Sequence, residues 1–452
     1  MSSIDQYLAL YREHSALLEA HSHPVLNAHR AQALAQLEAM GLPSSRAERY
    51  RYCNVEGDLA PDFGLNLRRS LPVGDPYKGY RCGVPEMKTA LFYVVNDVVC
   101  SADGKAVLPE GVHVLPLCEA ATRFPEVVQR HYNTAATRKA DALSALNTLL
   151  VQDGLFVYVE RGVTIEQTLQ IVYVSAAAAD MMSNRRVLVV VEEEATANLL
   201  MCDHSMDATH QYLSTQVVEA FVGERAQLHI YTMEETQEAN ARYANLYVEQ
   251  QAQSQTSLCE LTLHNGHTRN QTEVRLLGEG ADVALNGAYI AAKEETLSSD
   301  IVVEHAVPNC HSSMLHKYVV GDKGVSAFAG RVVVAEGAQQ TLAEQTNANL
   351  LASPTARAFS QPMLEIYADD VKCNHGSTIG KLDETALFYM RQRGVPEAEA
   401  RLLLQHAFVN EVVETVHIAP LRQRVSALVE ARFRGRDAGC QEGCTTCGGH
   451  CI

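Results

Sequence analysis

Tryptophan is absent from this 452-residue chain, and basic residues are scarce: 37 Lys+Arg face 54 Asp+Glu, a formal charge of −17. Such an acidic surface repels a phosphate backbone and excludes nucleic acid as a partner. No apolar run approaches the length that spans a bilayer, so no membrane partner is expected. Asp5 and Glu13 interrupt the stretch where an export signal needs an unbroken apolar core. The expected compartment is the cytoplasm. Also missing are a Gly-x-x-x-x-Gly-Lys-[Ser/Thr] loop, a Gly-x-Ser-x-Gly elbow and a His-Glu-x-x-His pair. The chain is therefore not itself a P-loop ATPase, and the commoner hydrolases are disfavoured.

What remains is ordinary globular composition, 47% hydrophobic and 20% charged. Of the 12 cysteines, those from Cys53 to Cys373 stand singly, which with no export signal reads as reduced thiols.

Four regions are expected. Residues 1–85 are helical at the start: Leu8, Tyr11, Leu17 and Leu18, then Ala33, Leu34, Leu37 and Met40, recur at helical spacing until Gly41-Leu42-Pro43 breaks the pattern. Across 86–380 helical periodicity all but vanishes. Short β-rich runs such as Val187–Val191 and Leu228–Tyr231 alternate with a returning turn: ERGVT at 160, EEEAT at 192, GERAQ at 223, GEGAD at 278, GDKGV at 321, AEGAQ at 335. A recurring strand–turn unit points to a β-solenoid, each coil burying its face on its neighbours. The intervals are irregular, about 14 to about 55 residues, and a large β-sandwich is the alternative. Helices return over 381–436, opened by Leu382-Asp383-Glu384, with apolar stripes at Leu403, Leu404, Phe408 and Val412 and at Leu421 and Val425. Residues 437–452 form a glycine-rich, cysteine-rich tail.

Three clusters carry ligand chemistry. In DDVKCNHGSTIG, residues 369–380, Cys373 and His375 fall two apart in a strand-like run, which points both side chains to one face. They suit a metal site or a thiolate–imidazole pair; two ordinary structural residues are the plain alternative. His264, His267, His305, Cys310, His311 and His316 crowd a second segment, but their spacing fits no tight tetrahedral signature. The tail spaces Cys440, Cys444, Cys447 and Cys451 closely enough to wrap zinc or an iron–sulfur cluster, or to be an unstructured end.

The first cluster sits in a longer familiar stretch. QPMLEIYADDVKCNHGSTIGKLDETALFYMRQRGVPEAEARLLLQHAF resembles the C-terminal signature of the SufB/SufD family of iron–sulfur cluster assembly proteins, and HSSMLHKYVVGDKGVSAFAGRVVVAEGAQQTLAEQTNANLL continues the match upstream. LPSSRAERYRYCNV is a weaker match, with Tyr50 where many SufD-type members have Trp. The Cys-x-His-Gly form followed by Gly380 and Leu382-Asp383 resembles the SufD branch.

The resemblance implies a right-handed parallel β-helix core flanked by N-terminal and C-terminal helical regions. It implies a non-catalytic scaffold, not an enzyme, that pairs with a SufB-like protein and docks a SufC-like ATPase through its C-terminal helices. The stripe residues Leu403, Leu404, Phe408, Val412, Leu421 and Val425 are the candidates for that docking. His375, with Cys373 beside it, would face the SufB-like partner where a transient iron–sulfur cluster is built. The four-cysteine tail lies beyond the resemblance, which also leaves flavin association open. Three rivals stand beside this reading: a β-helix carbohydrate-active enzyme, a purely structural subunit whose His375 is a satisfied turn residue, and a scaffold that pairs with a second copy of itself as a homodimer.

Overall fold

The computed structural model describes residues 2–71, 76–79, 83–100, 106–206 and 209–435. From Leu155 to Lys381 nearly all of the chain is strand and turn. Consecutive strands alternate between two ten-stranded sheets, and each pairs in parallel with the strands one coil before and one coil after. Parallel pairing at this scale excludes the sandwich and defines a β-helix of about eight turns, with helices at both ends.

The returning turn is one corner of the coil. Gly162, Glu194, Arg225, Gln253, Gly280, Asn309 and Gln340 all have positive φ and recur about one coil apart. The first four donate their backbone N–H to the carbonyls of Glu193, Glu224, Ala252 and Glu279 on the next coil, each at 2.9 Å. The irregular intervals in the sequence have a simple cause. GDKGV belongs to the opposite corner, where Lys293 and Asp322 have positive φ, and the Gln253 and Asn309 corners lack the glycine–acid signature.

The expectation of almost no helix across 86–380 fails at Leu117–Arg123, Pro125–His131 and Ala142–Leu150. The third of these is buried at every position, and its polar face, Ser144, Asn147 and Thr148, is turned inward to Tyr247, Thr215 and Asn133 rather than to solvent. Together with Ser3–Ala20 and Arg30–Met40 it covers the outer face of one sheet through Met182, Leu213 and Tyr243. Two buried charge groups pin that cover. Arg186 Nη2 lies 2.6 Å from Glu219 Oε2, and Arg49 reaches both Asp300 and Glu273 at 2.7 Å.

At the other end Glu384–Gln392, Glu397–Val413 and Ala419–Phe433 follow the last coil. The side chain of Asp383 caps the first by accepting from the amides of Thr385 and Ala386, and Gly394 ends the turn at φ 87°. Val409, Val412, Val413, Val416, Leu421, Val425, Leu428 and Val429 close over Tyr231, Cys259, Leu261 and Val319 on the outer face of the second sheet.

The lumen between the sheets is apolar on one side and polar on the other. Leu199, Ile230, Leu258, Leu285 and Met314 stack in one column. Beside it, the carboxyls of Asp203, Glu234 and Glu260 share two nearby cations, Arg185 and Arg242. Three buried carboxyls against two guanidiniums leave one uncompensated, so burial pushes Glu234 up to about 7 and Glu260 in the same direction. Further along, Tyr289 donates to Glu260 at 2.7 Å and stacks on Tyr318, and burial holds His316 neutral, with its pKa near 3.

Gly287 makes room for that cluster. A Cβ there would meet the Tyr289 ring at 2.5 Å and His316 Nδ1 at 2.7 Å, whereas a Cβ on Gly376 meets nothing within 4 Å. Gly287→Ala is expected to cost about 1–3 kcal/mol by overpacking. Gly376→Ala is expected to stay within about 0.5 kcal/mol of wild type. Chemical denaturation of the two variants checks the contrast; equal stabilities would mean that the lumen is not packed as described.

Candidate functional site

The two ends of the solenoid are finished differently. At the N-terminal end the sheets stop at Val98–Val99, two residues long, and at Val112–Pro116, both antiparallel to their neighbours. Short, reversed strands and a terminal proline blunt an edge against further pairing. At the C-terminal end the sheets stop at Arg357–Ile366 and Val371–Lys381, full-length parallel strands paired, among the described residues, on one side only. Pro362 interrupts the first of these, leaving Val371–Lys381 the better template for another strand. Tyr367, Ile379 and Leu342 are exposed around this end.

Cys373 and His375 lie on that last strand. In the in-register pairing Cys373 stands opposite Ala343, His375 opposite Gln345 and Ser377 opposite Asn347. All three partners are buried, and Ala343 belongs to the lumenal core. Cys373, His375 and Ser377 therefore share the lumenal face at its open mouth. The column beneath His375 is apolar from Leu199 to Met314, turns polar at Gln345, and ends in the imidazole. Ser377 donates to Ser360 Oγ at 2.6 Å, tying one sheet to the other across the mouth.

Chemically the mouth is incomplete. Cys373 is half-buried against the lumenal core, and that burial pushes its thiol above the ordinary range, opposed only by a backbone hydrogen bond at Ala343. It is not an activated thiolate. His375 is exposed and offers a single imidazole. Among the described residues no group of three or more His, Cys, Asp or Glu is arranged to hold a metal, and the mouth itself contributes one thiol and one imidazole.

The second histidine segment does not converge. His264 pairs with Glu295 at 2.7 Å, His267 with Asp58 at 2.7 Å and His311 with Asp282 at 2.7 Å, while His305 meets Ser312 and His316 meets Tyr289. Cys310 is buried, and no three of these residues are arranged to hold a metal. The tail cysteines Cys440, Cys444, Cys447 and Cys451 lie outside the described residues. No disulfide forms among the described cysteines.

The helical stripes are divided. Val412, Leu421 and Val425 are buried against the sheet, and Leu404 and Phe408 are half-buried beside them, with Lys317 Nζ 4.7 Å from the Phe408 ring. Leu403 stays exposed, and so do Phe388 and Tyr389 on Glu384–Gln392. The sequence reading passed over Phe388 and Tyr389. The signal was available: Leu387-Phe388-Tyr389-Met390 carries more apolar surface than one face of a short helix buries, and only Leu387 of that helix is buried.

The fold is thus a parallel β-helix blunted at one end and open at the other, with Cys373 and His375 at the open mouth. Two family models cover the chain: the SUF system FeS cluster assembly SufBD core domain over residues 173–408, and the SufBD protein N-terminal region over residues 1–171. The chain belongs to the SufB/SufD family of iron–sulfur cluster assembly proteins. It is 27% identical to the iron–sulfur cluster assembly protein SufD of Escherichia coli over 418 residues, 89% of this chain and 92% of that protein. A SufBD family protein of Synechocystis is 26% identical, covering 95% and 96% of the two chains, and SufD of Bacillus subtilis is 24% identical, covering 92% and 96%. Among the described residues no helix is long and apolar enough to cross a membrane.

Alkylation reports directly on the half-buried thiol. The rate at Cys373 is expected to rise with pH along a curve whose inflection lies above the ordinary 9.0. Peptide mapping after iodoacetamide treatment reads it. A plateau already reached at neutral pH would mean an activated thiolate and restore the dyad.

Proposed function

We propose that this protein is a non-catalytic scaffold subunit that pairs with a SufB-like chain through the open end of its solenoid. The observation that carries the reading is the unblunted strand Val371–Lys381, with His375 on its lumenal face. A partner's terminal coil would continue both sheets, satisfy the idle backbone groups and cover the exposed Ile379. Placed there, His375 is one donor in a shared set, and the partner supplies the rest. A nascent iron–sulfur cluster held between two chains is cargo, open to release when the interface shifts. Cys373 takes a supporting part as neighbour.

The C-terminal helices dock a SufC-like ATPase in this reading. Leu403, Phe388 and Tyr389 form the accessible surface, while Val412, Leu421 and Val425 tie the docked helices to the solenoid. Nucleotide-driven movement of the ATPase thereby reaches the last coils, because the same helices rest on the sheet that ends in Val371–Lys381. Lys317, on the strand two coils from the end, pairs with Glu411 of the long helix and strengthens that link. The assembly operates in the cytoplasm. Homodimerisation through the same edge is the second reading, favoured by one fact: the idle backbone groups of Val371–Lys381 accept a strand from any chain, including the same strand of a second copy.

Anaerobic copurification with SufB-like and SufC-like partners, with iron and sulfide analysis, tests the site. His375→Ala is expected to leave the complex intact and to remove most of its iron, because the residue is exposed and contributes little to folding. Equal iron in wild type and variant would move the chemistry away from His375.

A further inference from the structure

The loop between Glu397–Val413 and Ala419–Phe433 carries an imidazole that faces a second one on the solenoid. His417, exposed in that loop, meets His229 on the outer face of strand Gln227–Glu235. The ring centroids lie 5.4 Å apart, with the planes at 63°, an edge-on contact. The neighbours of His417 attach the loop to the sheet. Val416 is fully buried and Ile418 half-buried in the cluster that includes Tyr231 and Cys259. The two rings therefore stand on opposite sides of the joint by which the C-terminal helices rest on the solenoid.

His229 has one polar anchor. Its Nδ1 lies 2.6 Å from the Ser257 hydroxyl, in the register that sets His229 between Asn198 and Ser257. A neutral or a protonated ring can make that contact, so it does not fix the charge. What the joint lacks is an anion. Around His229 stand Asn198 and Leu200 from the coil before, Ser257 and Cys259 from the coil after, Tyr231 on its own strand and His417 from the loop. Burial pushes the Cys259 thiol and the Tyr231 phenol up to about 12, so both are uncharged. Glu414 and Arg422, beside the two ends of the loop, pair with each other at 3.8 Å. The contrast with His264, His267 and His311 is plain, since each of those lies 2.7 Å from a carboxylate.

A proton on His229 would thus create a half-buried cation whose ionisable partner can only add a second positive charge. Burial first, and then His417, hold His229 below its ordinary 6.5. A value lowered in this way costs nothing above 6.5, and the penalty on the closed joint grows as pH falls below it. Lifting the loop removes both causes, because water reaches His229 and His417 moves away.

We propose that His229 and His417 form an acid-sensitive latch: when both rings carry protons, loop 414–418 lifts from the sheet and the C-terminal helices loosen from the solenoid at that point. Arg432, 2.7 Å from Glu295, pins the far end of Ala419–Phe433, so the release is local to the loop. The latch needs no partner, and it rests neither on pairing at the open mouth nor on a docked ATPase.

Hydrogen exchange of the full chain at neutral pH and about one unit below 6.5, corrected for the intrinsic rate, tests the latch. In the wild type, protection across 414–418 is expected to fall roughly threefold or more on acidification, with little change around Arg432. His229→Gln keeps a polar side chain that takes no charge, and is expected to abolish the fall. His417→Gln, at an exposed position that folding does not depend on, is expected to remove at least about half of it. No fall in the wild type, or a fall unchanged in His417→Gln, overturns the proposal and leaves the two rings a packing contact.

Discussion

Parallel strand pairing along one axis is the constraint on which the rest of this molecule depends. Each coil supplies half of the hydrogen-bonding partners of the next, so stability passes from neighbour to neighbour and the stack has no natural stopping point. Such a stack must be ended deliberately. Here one end is closed by Val98–Val99 and Val112–Pro116, and the other is left as a full strand facing outward. An open edge invites uncontrolled association unless a proper partner takes it. The asymmetry gives Val371–Lys381 its meaning, and with it the position of His375.

The contents of the lumen support the same picture. Buried ion pairs such as Arg185–Asp203 are weak contributors to net stability, because desolvation offsets most of the attraction. Their register dependence is strong, since a slip of one residue would move every lumenal side chain to the outer face. The polar lane through Glu234, Glu260 and His316 thus fixes how the coils stack, and stacking fixes which residues reach the mouth. Outside, helices wrap both sheets. The N-terminal group covers one face, while the C-terminal group covers the other and leaves Phe388, Tyr389 and Leu403 to solvent.

Much of this was legible in the residues. Strand-rich runs and a recurring corner revealed the solenoid, because left-handed corner positions favour Gly and tolerate a few polar residues. The corners at Gln253 and Asn309 were not legible, since chain geometry rather than residue type fixes their conformation. Ala142–Leu150 escaped although Ser144, Asn147 and Thr148 repeat at helical spacing, because a run of nine residues is too short for its pattern to stand out beside the strands. At the site, the spacing of Cys373 and His375 gave a shared face, but not that the face is a lumen nor that the strand is the last one. Val412, Leu421 and Val425 show the converse difficulty, as an apolar stripe looks the same whether it will meet its own sheet or another protein. The Asp58–His267 pair joins residues more than 200 positions apart, and no local pattern announces it.

The central claim is that a partner completes the open coil through Val371–Lys381. Hydrogen exchange on the chain alone and in complex with its SufB-like partner tests it most directly. Protection is expected to appear across 371–381 and to fade across the proline-interrupted 357–366, with little change at the blunted N-terminal strands. A stable complex in which the 371–381 amides exchange as fast as in the free chain would contradict the account and place the interface elsewhere.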